Sequence, residues 1–136
     1  MIEEGFLVLL NADAGVTGLL AGGGKITPLI LPKESLLPAV TYQRISGTED
    51  NNLVASKTGG LVRARYQFSS WSYTYLGAIL LGHAIKNALR GFQGTMADAD
   101  HTQVRDVVVD NDMDAWEDVA RQYRRMTDFI FWYIQT

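Results

Sequence analysis

The hydrophobic pattern changes period several times along the chain, and each change predicts an element. Over residues 2–12, Ile2, Phe6, Leu9 and Leu10 recur at helical spacing, with Glu3 and Glu4 at the end where the helix dipole favours negative charge. A second short helical turn is predicted over 16–20, and the run Gly22-Gly23-Gly24 stops it. "KITPLIL" and "AVTYQRIS" then read as two extended segments. Pro28 places the first at a sheet edge or interrupts it. Pro38 introduces the second, where Val40, Tyr42 and Arg44 alternate with Thr41, Gln43 and Ile45. Residues 47–60, "GTEDNNLVASKTGG", are turn-rich and too long for a tight hairpin, so they predict an exposed, projecting loop.

The clearest alternation follows. In "LVRARYQFSSW", Val62, Ala64, Tyr66 and Phe68 face one way and Arg63, Arg65 and Gln67 the other. The period then becomes helical, with Ala78, Leu81, Ile85, Ala88 and Phe92 on one stripe. Ser72 is the candidate N-cap, Lys86 and Arg90 suit the negative end, and Gly91 supplies a left-handed stop. Residues 94–102 read as a polar connection, "VRDVVVD" as a short strand, and "NDMDAWED" as an acidic turn or loop. "ARQYRRMTDFIFWYIQ" closes the chain as a long strand, apolar on both faces in its second half. Such a strand is either central and covered twice, or an edge covered in an assembly. The order α, β, β, β, α, β, β predicts an α+β fold in a single domain spanning 1–136. Its sheet is expected to be antiparallel-rich, with about four to five strands and two main helices packed on one face.

Composition narrows the class. A chain of 136 residues, 47% hydrophobic and 20% charged, holds one ordinary globular core. No apolar run approaches the roughly 20 residues needed to span a bilayer. "MIEEGFLVLL" carries glutamates where a signal peptide carries basic residues, so a cytosolic origin is expected. The absence of cysteine removes disulfides, thiolate metal sites and cysteine nucleophiles. A net charge of −3 argues against a dedicated nucleic-acid binder. The charge is also segregated: residues 61–90 hold Arg63, Arg65, Lys86 and Arg90 and no acid, whereas 91–118 hold eight acids against Arg105. Separated patches of this kind suit head-to-tail pairing between copies, although clustered solvated faces account for the charge equally well.

The candidate chemical motifs fail on their spacing. "AGGGKIT" has Leu19 where a phosphate loop needs its first glycine, and Ile26 where it needs a hydroxyl. It also leads from a helix to a strand, the reverse of the order that aims a helix N-terminus at an anion. "DNDMDA", starting at Asp110, imitates half of an EF-hand loop, yet Ala115 replaces the turn glycine and Arg121 the closing glutamate. His83 lacks a partner one helical turn away, His101 lies among Asp98 and Asp100 in a polar segment, and no nucleophile elbow surrounds Ser69, Ser70 or Ser72. Arg121, Arg124 and Arg125 interleave with Tyr123 ahead of Phe129, Phe131 and Trp132. The favoured reading gives those aromatics to a core and those arginines to an interface, ahead of single-strand binding by stacking. No catalytic residue, metal or cofactor is assigned.

Several segments, in order, carry a resemblance. They are Ala12-Asp13-Ala14, "ITPLILPKESLLPAVTYQRISG", "GLVRARYQFSSWSYTY", the helix ending "ALRGFQG", "VVVDNDMDAWED" and "RMTDFIFWY". Together they resemble the tail completion, or tail terminator, proteins of tailed bacteriophages and prophages over nearly the whole chain. The loop after "ISG" and residues 95–103 depart from that pattern. The resemblance implies a structural protein without enzymatic activity. It would cap the tail tube as a ring, commonly of six copies, and present a docking surface to the head-side connector. Expected partners are other copies, the tube protein and the connector or stopper, with genomic DNA passing through unbound and no membrane. The expected location is the head-proximal end of the virion tail, assembled in the host cytoplasm. A stopper or a tube subunit is the alternative role. Arg63, Arg65, Asp110, Asp112, Asp114, Arg121, Arg124 and Arg125 are the candidate subunit-interface residues.

Overall fold

The strand alternation dictates what the helices cover. In the computed structural model, which describes residues 1–20, 24–32, 36–49, 60–119 and 121–134, one six-stranded sheet carries all the helices on a single face. The helices are α1 (Ile2–Ala12), α2 (Ala14–Leu19) and α3 (Tyr75–Leu89). The strands are β1 (Ile26–Pro28), β2 (Ala39–Glu49), β3 (Leu61–Ser72), β4 (Gly94–Thr95), β5 (Gln103–Glu117) and β6 (Gln122–Ile134). Their spatial order is β1-β2-β3-β6-β5-β4, and all pairs are antiparallel except the parallel β1–β2.

The α+β class and the one-sided helices agree with the sequence reading, but the strand count does not. Two short edge strands bring the sheet to six, and a third helix, α2, joins the two expected. The acidic segment is not a loop. Residues 111–117 run antiparallel to β6 in continuous register from Asn111↔Asp128 to Glu117↔Gln122. Aspartate is a poor strand former; here cross-strand arginines compensate for it, as described below. The predicted loop at 47–60 also starts later, since Gly47, Thr48 and Glu49 continue β2 against β3. The projecting arm itself falls on residues outside those described.

The core forms where β3 and β6 offer their alternate residues to α1 and α3. Val62, Ala64, Tyr66 and Phe68 of β3 lie beside Tyr133, Phe131, Phe129 and Thr127 of β6, and all eight are buried. Phe6 of α1 enters this layer, edge-on to Tyr42, Tyr66 and Phe68 and tilted against Phe131. Leu81, Ile85 and Leu89 of α3 close the other side. Gly82 lets α3 approach the sheet, because a Cβ there would stand 2.9 Å from Cγ of Arg125.

The α3 ends show how local chemistry fixes a boundary. Ser72 is still in β3, and Thr74 is the N-cap, its hydroxyl accepting a hydrogen bond from the Gly77 N–H at 3.0 Å. Ser72 Oγ instead accepts from the Thr74 N–H at 3.3 Å. At the far end Gly91 takes the expected left-handed conformation, φ +78°. Thr74→Ala is therefore expected to cost about 1 kcal/mol, seen as a fall of about 4 °C in thermal melting midpoint. An unchanged midpoint would contradict this cap assignment.

Candidate assembly surface

The sheet face turned away from the helices carries the first group of candidate residues. Arg63 is exposed there, its guanidinium 5.6 Å from the ring centre of Trp132. Arg65, two residues along, forms ion pairs with Asp110 at 2.8 Å and Asp128 at 2.5 Å. Gln67 also donates to Asp128. Further along, Arg124 stacks over Trp71 at 4.8 Å and donates from Nε to Ser69 Oγ. Glu117 lies 3.5 Å from its Nη1. Ile130 is buried on this face and Met113 is exposed.

The second group lies on the helix side, along α3 from Tyr75 to Lys86. Asp112 accepts hydrogen bonds from Lys86 Nζ at 2.6 Å, Arg125 Nε at 3.0 Å, Arg125 Nη2 at 3.2 Å and Thr127 Oγ1 at 2.9 Å. Asp114 accepts from Arg125 Nη1 and from the Tyr75 hydroxyl. Asp112 thus ties α3 to two strands at once. Strand alternation alone would put all three carboxylates on one face, but the register shift between Val109 and Asn111 turns Asp110 to the opposite face, beside Arg65, so they do not converge. Among the described residues, no group of three or more His, Cys, Asp or Glu is placed to hold a metal ion. His83 and His101 are both exposed.

The segregated charges of the sequence therefore meet inside one chain: Arg65 with Asp110, and Lys86 with Asp112. Arg63 stands apart from these ion networks, and Arg121 sits exposed in the β5–β6 connection at φ +53°. Phe129 and Phe131 belong to the core, as the aromatic pattern implied, while Trp132 lies on the helix-free face and Tyr123 packs on Trp116 and Tyr75.

Sequence reasoning missed Asp98. It is buried, and accepts from the Thr102 N–H at 2.8 Å and from the Thr102 hydroxyl at 2.5 Å. The D-x-x-x-T spacing was the available signal. Burial pushes its carboxyl upward, but the Thr102 hydrogen bonds outweigh that and hold the pKa at about 2. At Asp112, burial acts in the same direction and is overcome by Arg125, Lys86 and Thr127, again leaving about 2. Both folded values lie below the ordinary 3.8, so the stability they contribute is present above that pH and lost as pH falls toward 2. The thermal midpoint is expected to be flat from pH 7 to about 5 and to drop steeply between about 4 and 2. A pH titration of thermal melts checks this, and a midpoint unchanged at pH 2.5 would contradict it.

Several charged side chains pair with one another across the sheet, Arg65 with Asp110 and Asp128 and Arg125 with Asp112 and Asp114. The family profile described as "Tail completion protein gp17" matches residues 6–134, and the chain belongs to that family. It is thereby a phage structural protein of the tail. No curated protein matches the sequence. Among solved structures, a chain from one titled "Virion of native gene transfer agent (GTA) particle" superposes with a TM-score of 0.69. The superposition covers 99% of this chain and 95% of that one at 13% identity, so the likeness is one of fold. Among the described residues, no helix is long and apolar enough to cross a membrane.

Proposed function

We propose that copies of this chain close the tail tube as a ring, most simply of six, and present a docking surface to the head-side connector. In this reading it assembles in the host cytoplasm, sits at the head-proximal end of the tail, and lets genomic DNA through without gripping it. The observation that carries the proposal is the family match over residues 6–134. A net charge of −3 supports it, because phosphate contacts would add affinity and retard the passage of DNA. The internal pairing of Arg65, Arg124 and Arg125 with carboxylates supports it too, since those guanidinium groups are already engaged.

A closed ring requires two different, mutually complementary patches on each subunit. Light scattering after size exclusion, over a range of concentrations, tests this. A discrete species at about six times the monomer mass is expected. Open-ended growth would point to a tube subunit instead. For the candidate interface residues, Arg63→Glu is the informative variant, because Arg63 lies outside the ion-pair networks and its loss leaves them intact. Glutamate at position 65 would face Asp110 and Asp128 and disturb folding directly. Arg63→Glu is expected to weaken the ring without shifting the thermal midpoint.

A further inference from the structure

Among the described residues, the two edges of the sheet are each only half covered by a neighbouring strand. On the outer side of β5, β4 pairs at Gln103 and Val104, and the Gly91 N–H donates to the Val107 carbonyl. Beyond these, residues 108–117 have no neighbouring strand on that side among the described residues. On the outer side of β2, β1 pairs at Val40, Thr41 and Tyr42, and residues 43–49 have no neighbouring strand there among the described residues. Alternate residues of an antiparallel edge strand point their N–H and C=O groups outward. An edge this long is a template for another strand.

We infer that the open edge of β5 in one copy pairs with the open edge of β2 in the next, continuing the sheet from subunit to subunit. This rests on the ring reading and specifies the surface it uses. Two observations select a second copy of the chain as the occupant. First, direction: β2 and β5 run oppositely in the sheet, so repeating the unit in one orientation sets β5 antiparallel to the next β2. Second, placement: β1 covers the start of β2 and β4 the start of β5, at opposite ends of the sheet, so the open halves are diagonally offset. Closing a sheet on itself requires a stagger of this kind between neighbouring strands.

Charged side chains ordinarily protect an edge from pairing. Here Asp110, Asp112, Asp114 and Glu117 are each within 3.5 Å of a basic group of their own chain. The edge is therefore largely neutralised, and exposed Met113 and Val108 add apolar surface to it.

Amide hydrogen exchange read by mass spectrometry, above and below the assembling concentration, tests the pairing, with mass followed by light scattering. Assembly is expected to slow exchange in both 43–49 and 108–117 by at least about tenfold. Met113→Lys is expected to stay monomeric with an unchanged thermal midpoint. Rings of ordinary mass whose two edges exchange as fast as in the monomer would overturn the inference and leave the ring reading standing. A dimer protected in 108–117 alone would show β5 pairing with itself and would also overturn it. A chain that remains monomeric at every concentration would overturn both.

Discussion

Phe6→Ala is expected to lower unfolding free energy by about 3–5 kcal/mol, as large a loss as any single truncation should produce here. The reason is position. Phe6 is fully buried, and its ring centre lies 5.1 Å from Tyr42, 5.2 Å from Tyr66 and Phe68, and 5.7 Å from Phe131. Three of these contacts are edge-on, the geometry in which aromatic quadrupoles attract. Removing the ring loses its transfer free energy and leaves a cavity walled by rigid side chains of three strands, which cannot collapse inward cheaply. Domains of ordinary stability have only about 5–15 kcal/mol in total, so the variant should be marginal. Urea titration at neutral pH measures the effect, and a loss below about 1 kcal/mol would mean that α1 is not docked as described. Val8, on the exposed side of α1, is the control, and Val8→Ala should change little.

The difference between those two residues of one helix explains what the sequence disclosed. Period alone placed Phe6 and Leu10 inward, and it placed Val62, Ala64, Tyr66 and Phe68 on the buried side of β3. Gly91 was legible for a related reason, since its left-handed conformation is one that few other residues adopt easily. The acidic half of β5 was not legible. Single-segment propensity assigns "NDMDAWED" to a turn, and what overrides it is the cross-strand register that sets Asp114 opposite Arg125 and Asp112 opposite Thr127. The pairing partner lies beyond the hairpin turn, so no local window contains it. The shift from Ser72 to Thr74 as N-cap has a similar origin: β3 runs on to pair Ser72 with Tyr123, and the helix starts after the sheet ends. The candidate residues divide likewise. Composition exposed the separated charges, but topology folds the two segments onto one another, giving Arg65–Asp110 and Lys86–Asp112 within the chain. The open halves of β2 and β5 depend on where two very short strands stop, which hydrophobic period does not record.

Asp112→Ala is the second substitution of large expected effect, with a loss of about 2–4 kcal/mol at neutral pH. One carboxylate accepts four hydrogen bonds, three of them from cationic groups, and the side chains of Lys86 and Arg125 are each only 19% exposed. Truncation leaves Lys86 without that carboxylate in a partly desolvated position, while Arg125 keeps Asp114 at 2.8 Å. Most of the cost is thus the stranded ammonium rather than the intrinsic strength of the pair. It follows that adding Lys86→Met to Asp112→Ala should recover part of the loss, because the methionine stem fills the same space without a charge. A double-mutant cycle is expected to give a coupling of about 1–2 kcal/mol between the two positions. Asp112→Asn separates shape from charge. The carboxylate's folded pKa is about 2, so the wild type should lose this contribution as pH falls from about 4 toward 2, and the asparagine variant should show a shallower acid transition. Urea titrations of the four proteins of the cycle at pH 7, with the asparagine variant compared at pH 3, make the measurement. Simple additivity of the two substitutions would show that α3 is held to β5 and β6 by its apolar stripe alone, with the Lys86–Asp112 contact an incidental surface pair.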